Sequence, residues 1–261
     1  MIALSFDIEE FDLPAEHGKQ ISFDEQIRIS TDGLLKILDL LKKWQIKATF
    51  FSTIAFAQSS SGIIERIVSE GHELASHGCS HSEFSVEDLK VSKDILEKMS
   101  GTSIYGFRMP RMMPIDEKEL FLAGYIYNSS LNPTLIPGRY NNLNRPRNIH
   151  KEEGVWQVPA SVAYPFRIPL FWISLHQFPL FAYKLLCNSA LNKDGYLNIY
   201  FHPWEYYNHL EREELGVPGF ICKNSGDKLV QRLDSIIDYY LNKDVSFITI
   251  SELLQKKVDL T

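Results

Sequence analysis

The sequence predicts an α/β fold, a distorted (β/α) barrel formed by one domain over residues 1–261. Strand-like and helix-like stretches alternate along the chain, which favours parallel strands joined by right-handed crossovers. Several strand-like runs are continuously apolar, as expected for strands buried on both faces. No glycine-rich phosphate loop follows the first run, which argues against a dinucleotide-binding fold. About eight strands in 261 residues favour a barrel over an open sheet.

Eight segments carry the strand pattern. They are Ile2–Asp7, Ala48–Ser52, Glu73–His77, Ile104–Arg108, Ile126–Ser130, Val155–Ser161, Leu197–His202 and Ser246–Ile250. Apolar residues at helical spacing predict helices between them. These helices span Leu34–Lys43, Ile63–Ser69, Ser85–Met99, Asp116–Ala123 and Asp227–Leu241. Thr31 or Asp32 is the expected cap of the first helix, and the run SVED is the expected capping box of the third.

The composition excludes several classes of protein. The formal charge is -6, with acidic and basic residues interspersed, so no basic tract indicates a nucleic-acid partner. Three widely spaced cysteines, Cys79, Cys187 and Cys222, form no disulfide framework and fit a reducing compartment. The first residues lack the pattern of a signal peptide, which leads us to expect a cytoplasmic protein.

The segment Ile168–Tyr183, IPLFWISLHQFPLFAY, carries no charged residue. It is shorter than the roughly 20 residues that span a bilayer, and Pro169 and Pro179 interrupt it. We therefore expect no transmembrane segment. A buried or lid segment is the favoured interpretation, and peripheral membrane contact is the alternative.

Four predicted strands end in reactive polar residues. These are Asp7, His77, Arg108 and His202. In barrels of this kind the catalytic groups lie at the carboxyl ends of the strands, so we expect these side chains to converge on one rim. Each residue alone has a commoner explanation, such as an ion pair for Arg108 or a core position for His202. The joint pattern favours a site.

Two short motifs add candidate metal ligands. The run HGCSH places His77 and His81 four residues apart, a spacing that suits a divalent metal, although paired histidines near a turn are often solvated. The run DIEEFD adds Glu9 and Glu10 beyond Asp7, although such an acidic cluster is usually a charged loop.

These motifs resemble those of the polysaccharide deacetylases with a NodB-type domain, also called carbohydrate esterase family 4. The matching runs are SFDIEEFD, GHELASHGCSH, GFRMPR and LNIYFHPWE, in the family's order, and the resemblance extends from Leu4 to about Ile250. The form of the first and last runs looks closest to the branch of exopolysaccharide and cell-envelope biosynthesis. The resemblance implies a distorted barrel of about seven strands, one fewer than the pattern alone predicts.

The resemblance also implies roles for the polar residues. Asp7 matches the catalytic base, Arg108 the residue that orients it, and His202 the general acid. His77 and His81 match the two histidine ligands of a divalent metal. Zinc is the expected metal, and cobalt, nickel and iron also suit such ligands.

The position of the acidic ligand differs from the usual pattern, which places it directly after the base. Ile8 occupies that place here, so we assign the ligand to Glu9, with Glu10 as the alternative.

Two other motifs match less well. Arg111 stands where an aromatic residue is usual, and its backbone N–H is expected to contribute to an oxyanion site. Trp156 is the candidate wall of the acetyl pocket, a core position being the alternative, and Trp204 is a candidate platform for a sugar ring. Glu152 and Glu153 are weak candidates for the acidic partner of His202.

The resemblance implies a metal-dependent hydrolase that removes N-acetyl groups from amino sugars of a polysaccharide or a lipid-linked oligosaccharide. One alternative is an amidase that cleaves a C–N bond of a small non-sugar substrate. A catalytically silent carbohydrate-binding relative is the other, and the joint presence of Asp7 and His202 argues against it, because binding alone requires neither a base nor an acid.

Overall fold

The computed structural model describes residues 1–258, which form an alternation of strands and helices. The strands are β1 (Ile2–Ile8), β2 (Thr49–Ser52), β3 (Glu73–Ser76), β4 (Gly106–Phe107), β5 (Tyr127–Asn128), β6 (Leu135–Ile136), β7 (Tyr140–Asn141), β8 (His150–Glu152), β9 (Val155–Gln157), β10 (Val162–Ala163), β11 (Ile168–Pro169), β12 (Leu197–Phe201) and β13 (Phe247–Ile248). The helices are α1 (Leu13–Glu16), α2 (Phe23–Trp44), α3 (Ile54–Ser59), α4 (Ser61–Ser69), α5 (Glu87–Ser100), α6 (Glu117–Leu122), α7 (Trp172–Gln177), α8 (Leu180–Asp194), α9 (Gly219–Cys222), α10 (Asp227–Leu241) and α11 (Ile250–Val258).

The main sheet follows the order β12-β1-β2-β3-β4-β5-β9, and all of these neighbours pair in parallel. Antiparallel β8 extends it beyond β9. The eighth predicted strand forms β13, which pairs only with the first residues of β1 and lies off this path. The seven-strand expectation is therefore confirmed.

The sheet curls so that the two ends of its path approach each other. After β9 the chain reaches Ser161, whose N–H donates to the carbonyl of Asn198 in β12 at 2.8 Å. The N–H of Asn198 donates in turn to Ser161 Oγ at 2.8 Å. These bonds connect the segment after β9 to β12, and the result is the distorted barrel that the sequence predicts.

Helix α2 begins 11 residues before its predicted start. Ser22 is its cap and accepts the N–H of the third helical residue at 3.2 Å, whereas Thr31 and Asp32 lie inside the helix. Gly33, directly before the predicted start, lies inside the helix as well. An added Cβ at Gly33 would lie 1.8 Å from the carbonyl oxygen of Pro203, so only glycine permits this close approach.

The helices on the outer face of the sheet bury their apolar stripes against it. For α10 the predicted and observed bounds agree, and its predicted apolar residues, Leu229, Leu233, Ile236, Ile237 and Tyr240, are all buried. Helix α5 differs at its start, where the side chain of Ser85 makes no capping bond. Instead the Ser85 N–H donates to the carboxylate of Asp88 at 2.7 Å.

The uncharged segment Ile168–Tyr183 is divided among β11, α7 and the first turn of α8. Phe171 is buried, and Trp172 is partly buried beside the barrel rim. In the part of the chain that the structure describes, no helix combines the length and hydropathy needed to cross a membrane. The segment therefore belongs to the fold, as the favoured interpretation predicts.

Candidate active site

A cavity of about 490 Å³ lies at the carboxyl ends of β1, β3 and β12. Its lining includes Asp7, Glu9, His77, His81 and His202. In sequence these residues lie up to 195 positions apart, and parallel pairing brings them to one rim because the carboxyl ends of parallel strands share one edge of a sheet. The structure thus brings together the residues that the strand-end pattern singles out.

Asp7 is held by a buried arginine. Arg108 Nη1 donates to Asp7 Oδ1 at 2.6 Å, and Arg108 has no exposed surface. The other guanidinium nitrogens donate to the hydroxyls of Ser5 and Ser129 at 3.0 Å and to the Ser129 carbonyl at 3.0 Å. The ring of Phe51 covers the guanidinium at 4.1 Å. A buried ion pair with its donors satisfied fixes the orientation of the carboxylate.

Glu9, His77 and His81 form a compact donor group. Glu9 Oε2 lies 3.1 Å from His77 Nε2 and 3.2 Å from His81 Nε2, and the three donor atoms lie within 4.8 Å of one another. The other ring nitrogens are occupied, because His77 Nδ1 bonds the Arg108 carbonyl and His81 Nδ1 bonds Asp12 Oδ1, both at 2.8 Å. These bonds direct both Nε2 atoms toward Glu9, as in sites where histidine holds a metal.

The close contact between Glu9 and the two histidines shifts the pKa values of Glu9 and His81. Burial raises the pKa of Glu9, but the charge of His81 and the hydrogen bond with His77 outweigh it and hold that pKa at about 2. Burial lowers the pKa of His81, but Glu9 and Asp12 outweigh it and raise that pKa to about 9. A divalent metal ion would take the place of the proton on His81, and two neutral imidazoles with one ionised carboxylate are a donor set that fits such an ion.

Glu10 points to a different set of partners. Its Oε2 accepts the hydroxyl of Thr53 at 2.7 Å, and its Oε1 accepts the backbone N–H of His81 at 2.8 Å. Glu10 therefore braces the loop that carries His81, while Glu9 belongs to the donor group.

His202 is supported by a carboxylate that sequence reasoning missed. Its Nδ1 lies 2.8 Å from Glu205 Oε1, which also accepts the backbone N–H of His202 at 2.5 Å. His202 Nε2 lies 3.9 Å from Asp7 Oδ2. Burial lowers the pKa of His202, but the bond to Glu205 and the charges of Glu9 and Asp7 outweigh it and raise that pKa. The raised pKa favours the protonated form that an acid requires.

The weak candidates for this partner are wrong. Glu152 pairs with Arg145 at 2.8 Å and with His150 at 3.0 Å, and Glu153 lies in the turn between β8 and β9. The signal for Glu205 was present in the last motif, since a glutamate three residues after a helix cap reaches back to the backbone of the cap.

Trp156 is also misassigned as a wall of the pocket. It packs against a buried cluster that includes Ala3 and Tyr127, with Lys151 Nζ 5.5 Å from its ring centroid, and it is absent from the cavity lining. Trp172, which was not predicted as a site residue, lines the cavity instead. Its ring meets that of His202 edge-on, with the ring centroids 5.5 Å apart.

Trp204 lies in the site, but only 4% of its surface is exposed. Its ring stacks on His202 with centroids 5.2 Å apart, and its Nε1–H donates to Glu9 Oε1 at 3.3 Å. It therefore supports two site residues from behind and presents little surface for stacking on a sugar.

Arg111 lines the cavity in a left-handed backbone conformation, with φ 59° and ψ 16°. Its side chain is bound to Asp12 Oδ2 at 2.8 Å and to Glu16, which also line the cavity. Within residues 1–258 no acceptor bonds its backbone N–H. Asp12, the last residue of the DIEEFD motif, thus bonds both Arg111 and His81. The sequence analysis did not predict this link.

The fold and the site define an α/β barrel with a candidate metal centre at its strand ends, and comparison with known proteins agrees. A family model described as polysaccharide deacetylase matches residues 16–116, which include His77, His81 and Arg108. The peptidoglycan deacetylase of Helicobacter pylori is 30% identical over 108 residues, 38% of this chain and 37% of that protein. The matches span 22% to 37% of the lengths of the curated relatives.

Solved structures show the same fold. A structure described as that of a proposed polysaccharide deacetylase from Mycobacterium smegmatis has a TM-score of 0.66 at 18% identity, and it covers 98% of this chain and 88% of that one. A family 4 acetyl xylan esterase from Clostridium thermocellum, solved with a cobalt ion, has a TM-score of 0.51 at 18% identity and covers 98% and 91%. Over residues 16–116 the chain matches the polysaccharide deacetylase family, the family that its motifs resemble.

Proposed function

We propose that this protein is a metal-dependent hydrolase that removes N-acetyl groups from amino sugars of a polysaccharide or of its precursor. The observation that carries the proposal is the opposition of Asp7 and His202, 3.9 Å apart, beside the donor group of Glu9, His77 and His81. Amide hydrolysis needs a base, an acid and charge stabilisation, and this cavity offers residues for each.

The metal would be held by Glu9, His77 and His81. Zinc is the expected ion, and cobalt, nickel and iron suit the same donors. When bound, such an ion polarises a carbonyl and lowers the pKa of a water molecule. The fit of the donor set supports this proposal, and so does the cobalt ion in the Clostridium thermocellum esterase structure.

The chain's own residues divide the remaining work. Asp7, fixed by Arg108, accepts the proton of the attacking water. His202, held through Nδ1 by Glu205, donates a proton from Nε2 to the departing nitrogen. The backbone N–H of Arg111 faces no protein acceptor within residues 1–258 and is available to an oxyanion. The products are acetate and a free amino sugar.

The substrate class rests on the named relatives and on the motifs. Two curated relatives are named as deacetylases of peptidoglycan and of chitooligosaccharides. We propose that this chain acts on acetylated amino-sugar polymers or on lipid-linked oligosaccharides. The cysteines are free, which supports a reducing compartment, and the proposal therefore places the reaction in the cytoplasm.

The test is release of acetate from a panel of N-acetylated oligosaccharides, lipid-linked sugars, cyclic amides and formamides. Protein stripped of metal is compared with protein restored with zinc or cobalt, and wild type with Asp7→Asn, His77→Ala and the surface control Asp94→Asn. We expect metal-dependent release from acetylated sugars, lost by at least about 100-fold in the first two variants and kept in the control.

Release only from small amides would favour the amidase. Stoichiometric metal binding without hydrolysis would favour a silent carbohydrate-binding protein. Failure of the wild type to bind metal would overturn the proposal.

A further inference from the structure

A second histidine lies behind the acid and has no part in the chemistry described so far. His176, in α7, has no exposed surface. Its Nδ1 lies 2.9 Å from the carbonyl oxygen of Lys223, and its Nε2 lies 2.9 Å from Glu205 Oε2. Glu205, also fully buried, therefore lies between the imidazoles of His176 and His202.

The partners of His176 determine where its protons are. A carbonyl oxygen only accepts, so Nδ1 of His176 carries a hydrogen. Glu205 Oε1 accepts the backbone N–H of His202 at 2.5 Å and lies 2.8 Å from its Nδ1, so both nitrogens of His202 point at this one oxygen. An ionised carboxylate has no hydrogen to give, so Nε2 of His176 must carry one as well.

We infer that His176 is a positioning residue: a buried imidazolium that donates Nε2–H to Glu205, keeps that carboxylate ionised and turns its other oxygen toward His202. With Nδ1 of His202 held by Glu205, Nε2 of His202 is left to face the cavity and Asp7. The inference rests on the proposed function, in which His202 protonates the leaving nitrogen.

The surroundings of His176 hold it in place. Arg232, from α10, donates to the carbonyl of Leu175 in the same short helix and to that of Phe178, which follows the helix. Asn224 donates to the carbonyl of His176 itself at 2.7 Å. Within residues 1–258, Glu205 is the one ionisable side chain that bonds the His176 ring. The backbone that carries the ring is thus held by Arg232 and Asn224, which take no part in the chemistry.

The first test does not depend on activity. Nitrogen-15 spectra of histidine-labelled protein report which ring nitrogens carry hydrogen, and the signals of His176 are assigned from their loss in His176→Gln. At neutral pH we expect both ring nitrogens of His176 to be protonated and Nδ1 of His202 to be protonated. An unprotonated Nε2 on His176 would place the proton on Glu205 and overturn the inference.

The second test separates positioning from folding. A substrate with an acidic leaving group, such as 4-nitrophenyl acetate, needs no proton from His202, whereas an N-acetyl sugar does. We expect His176→Leu to lower kcat on the N-acetyl sugar by about 10- to 100-fold, with KM little changed, and to leave aryl acetate turnover within about 3-fold. His176→Gln, which keeps an N–H donor, restores part of the loss.

Exposed His209, paired with Glu211 at 3.6 Å on the surface, gives the matched control His209→Gln, which leaves both activities unchanged. Equal losses on both substrates in His176→Leu would mean that His176 acts only through folding, and the inference would fall. A wild-type protein inactive on both substrates would refute the proposed function, while the spectra would still decide the protonation of His176.

Discussion

His202 faces Asp7 across the cavity, with Nε2 3.9 Å from Oδ2. The relationship follows from strand register, because Phe6 of β1 pairs with Phe201 of β12, and Asp7 and His202 are the residues that follow them in the chain. The separation is longer than a direct hydrogen bond. Each residue is instead bonded from behind, Asp7 by Arg108 and His202 by Glu205, so that both present a free atom to the same space.

The adjacent glutamates, Glu9 and Glu10, should behave differently when each is changed to glutamine. We expect Glu9→Gln to lower zinc affinity by at least about 100-fold, because an ionised ligand is lost. Glu10→Gln keeps stoichiometric zinc and lowers the free energy of unfolding by about 1 kcal/mol, because it weakens the bonds to Thr53 and His81. Competition titration with a zinc indicator and urea denaturation measure the two effects. The reverse result would assign the ligand to Glu10.

Asp12 should tune the metal centre without touching the metal. Its Oδ1 bonds His81 Nδ1 at 2.8 Å and so orients the nitrogen that faces Glu9. We expect Asp12→Ala to lower zinc affinity by about 10- to 100-fold. Asp12→Asn, which keeps an acceptor oxygen, loses less, and exposed Asp94→Ala loses nothing. The Kd for zinc at constant pH is the readout, and an unchanged value in Asp12→Ala would contradict this role.

The close approach of α2 to the loop after β12 predicts the cost of one methyl group. In Gly33→Ala the new Cβ would lie 1.8 Å from the carbonyl oxygen of Pro203, so the backbone beside His202 must move. We expect a loss of about 3 kcal/mol in the free energy of unfolding. Gly62→Ala in α4 has nothing within 4 Å of its Cβ and should stabilise the protein by up to about 1 kcal/mol. Urea denaturation compares the pair, and equal stability would refute the contact.

His72 predicts a dependence of stability on pH. Burial, helped by Lys47, lowers its pKa from 6.5 to about 4, and its Nδ1 accepts the Ala48 N–H at 3.3 Å. As pH falls below 6.5 the unfolded chain binds a proton that the folded chain does not bind until about pH 4. This contribution to stability is therefore complete above pH 6.5 and is lost as pH falls toward 4.

Between pH 7.5 and 5, we expect the wild type to lose about 2 kcal/mol more unfolding free energy than His72→Gln. Urea denaturation of both proteins at the two pH values measures the difference. Equal losses in the two proteins would show that His72 is not buried in its neutral form.

Prediction from the sequence succeeded where the signal is local. The five apolar residues of α10 recur at helical spacing, and their burial and the bounds of the helix agree with the pattern. It was wrong for the start of α2, which it placed at Leu34, directly after Gly33. The reason for that glycine is the carbonyl of Pro203, 170 residues away, which no local pattern contains.

The same distinction applies to the site. The alternation of strands and helices, and the polar residues at strand ends, are properties of neighbouring residues, and they were sufficient to predict the barrel and the convergence of Asp7, His77, Arg108 and His202. Trp156 was placed wrongly because a strand residue faces one side or the other according to long-range packing.

The sequence by itself determined which kinds of side chain reach the rim of the barrel and in what order. The tertiary structure decided their partners: Glu9 beside the two histidines while Glu10 turns to Thr53, and Glu205 between His202 and His176. The physical reason is that a hydrogen bond depends on distances of a few tenths of an ångström and on direction. Both are fixed only when distant strands and helices pack together.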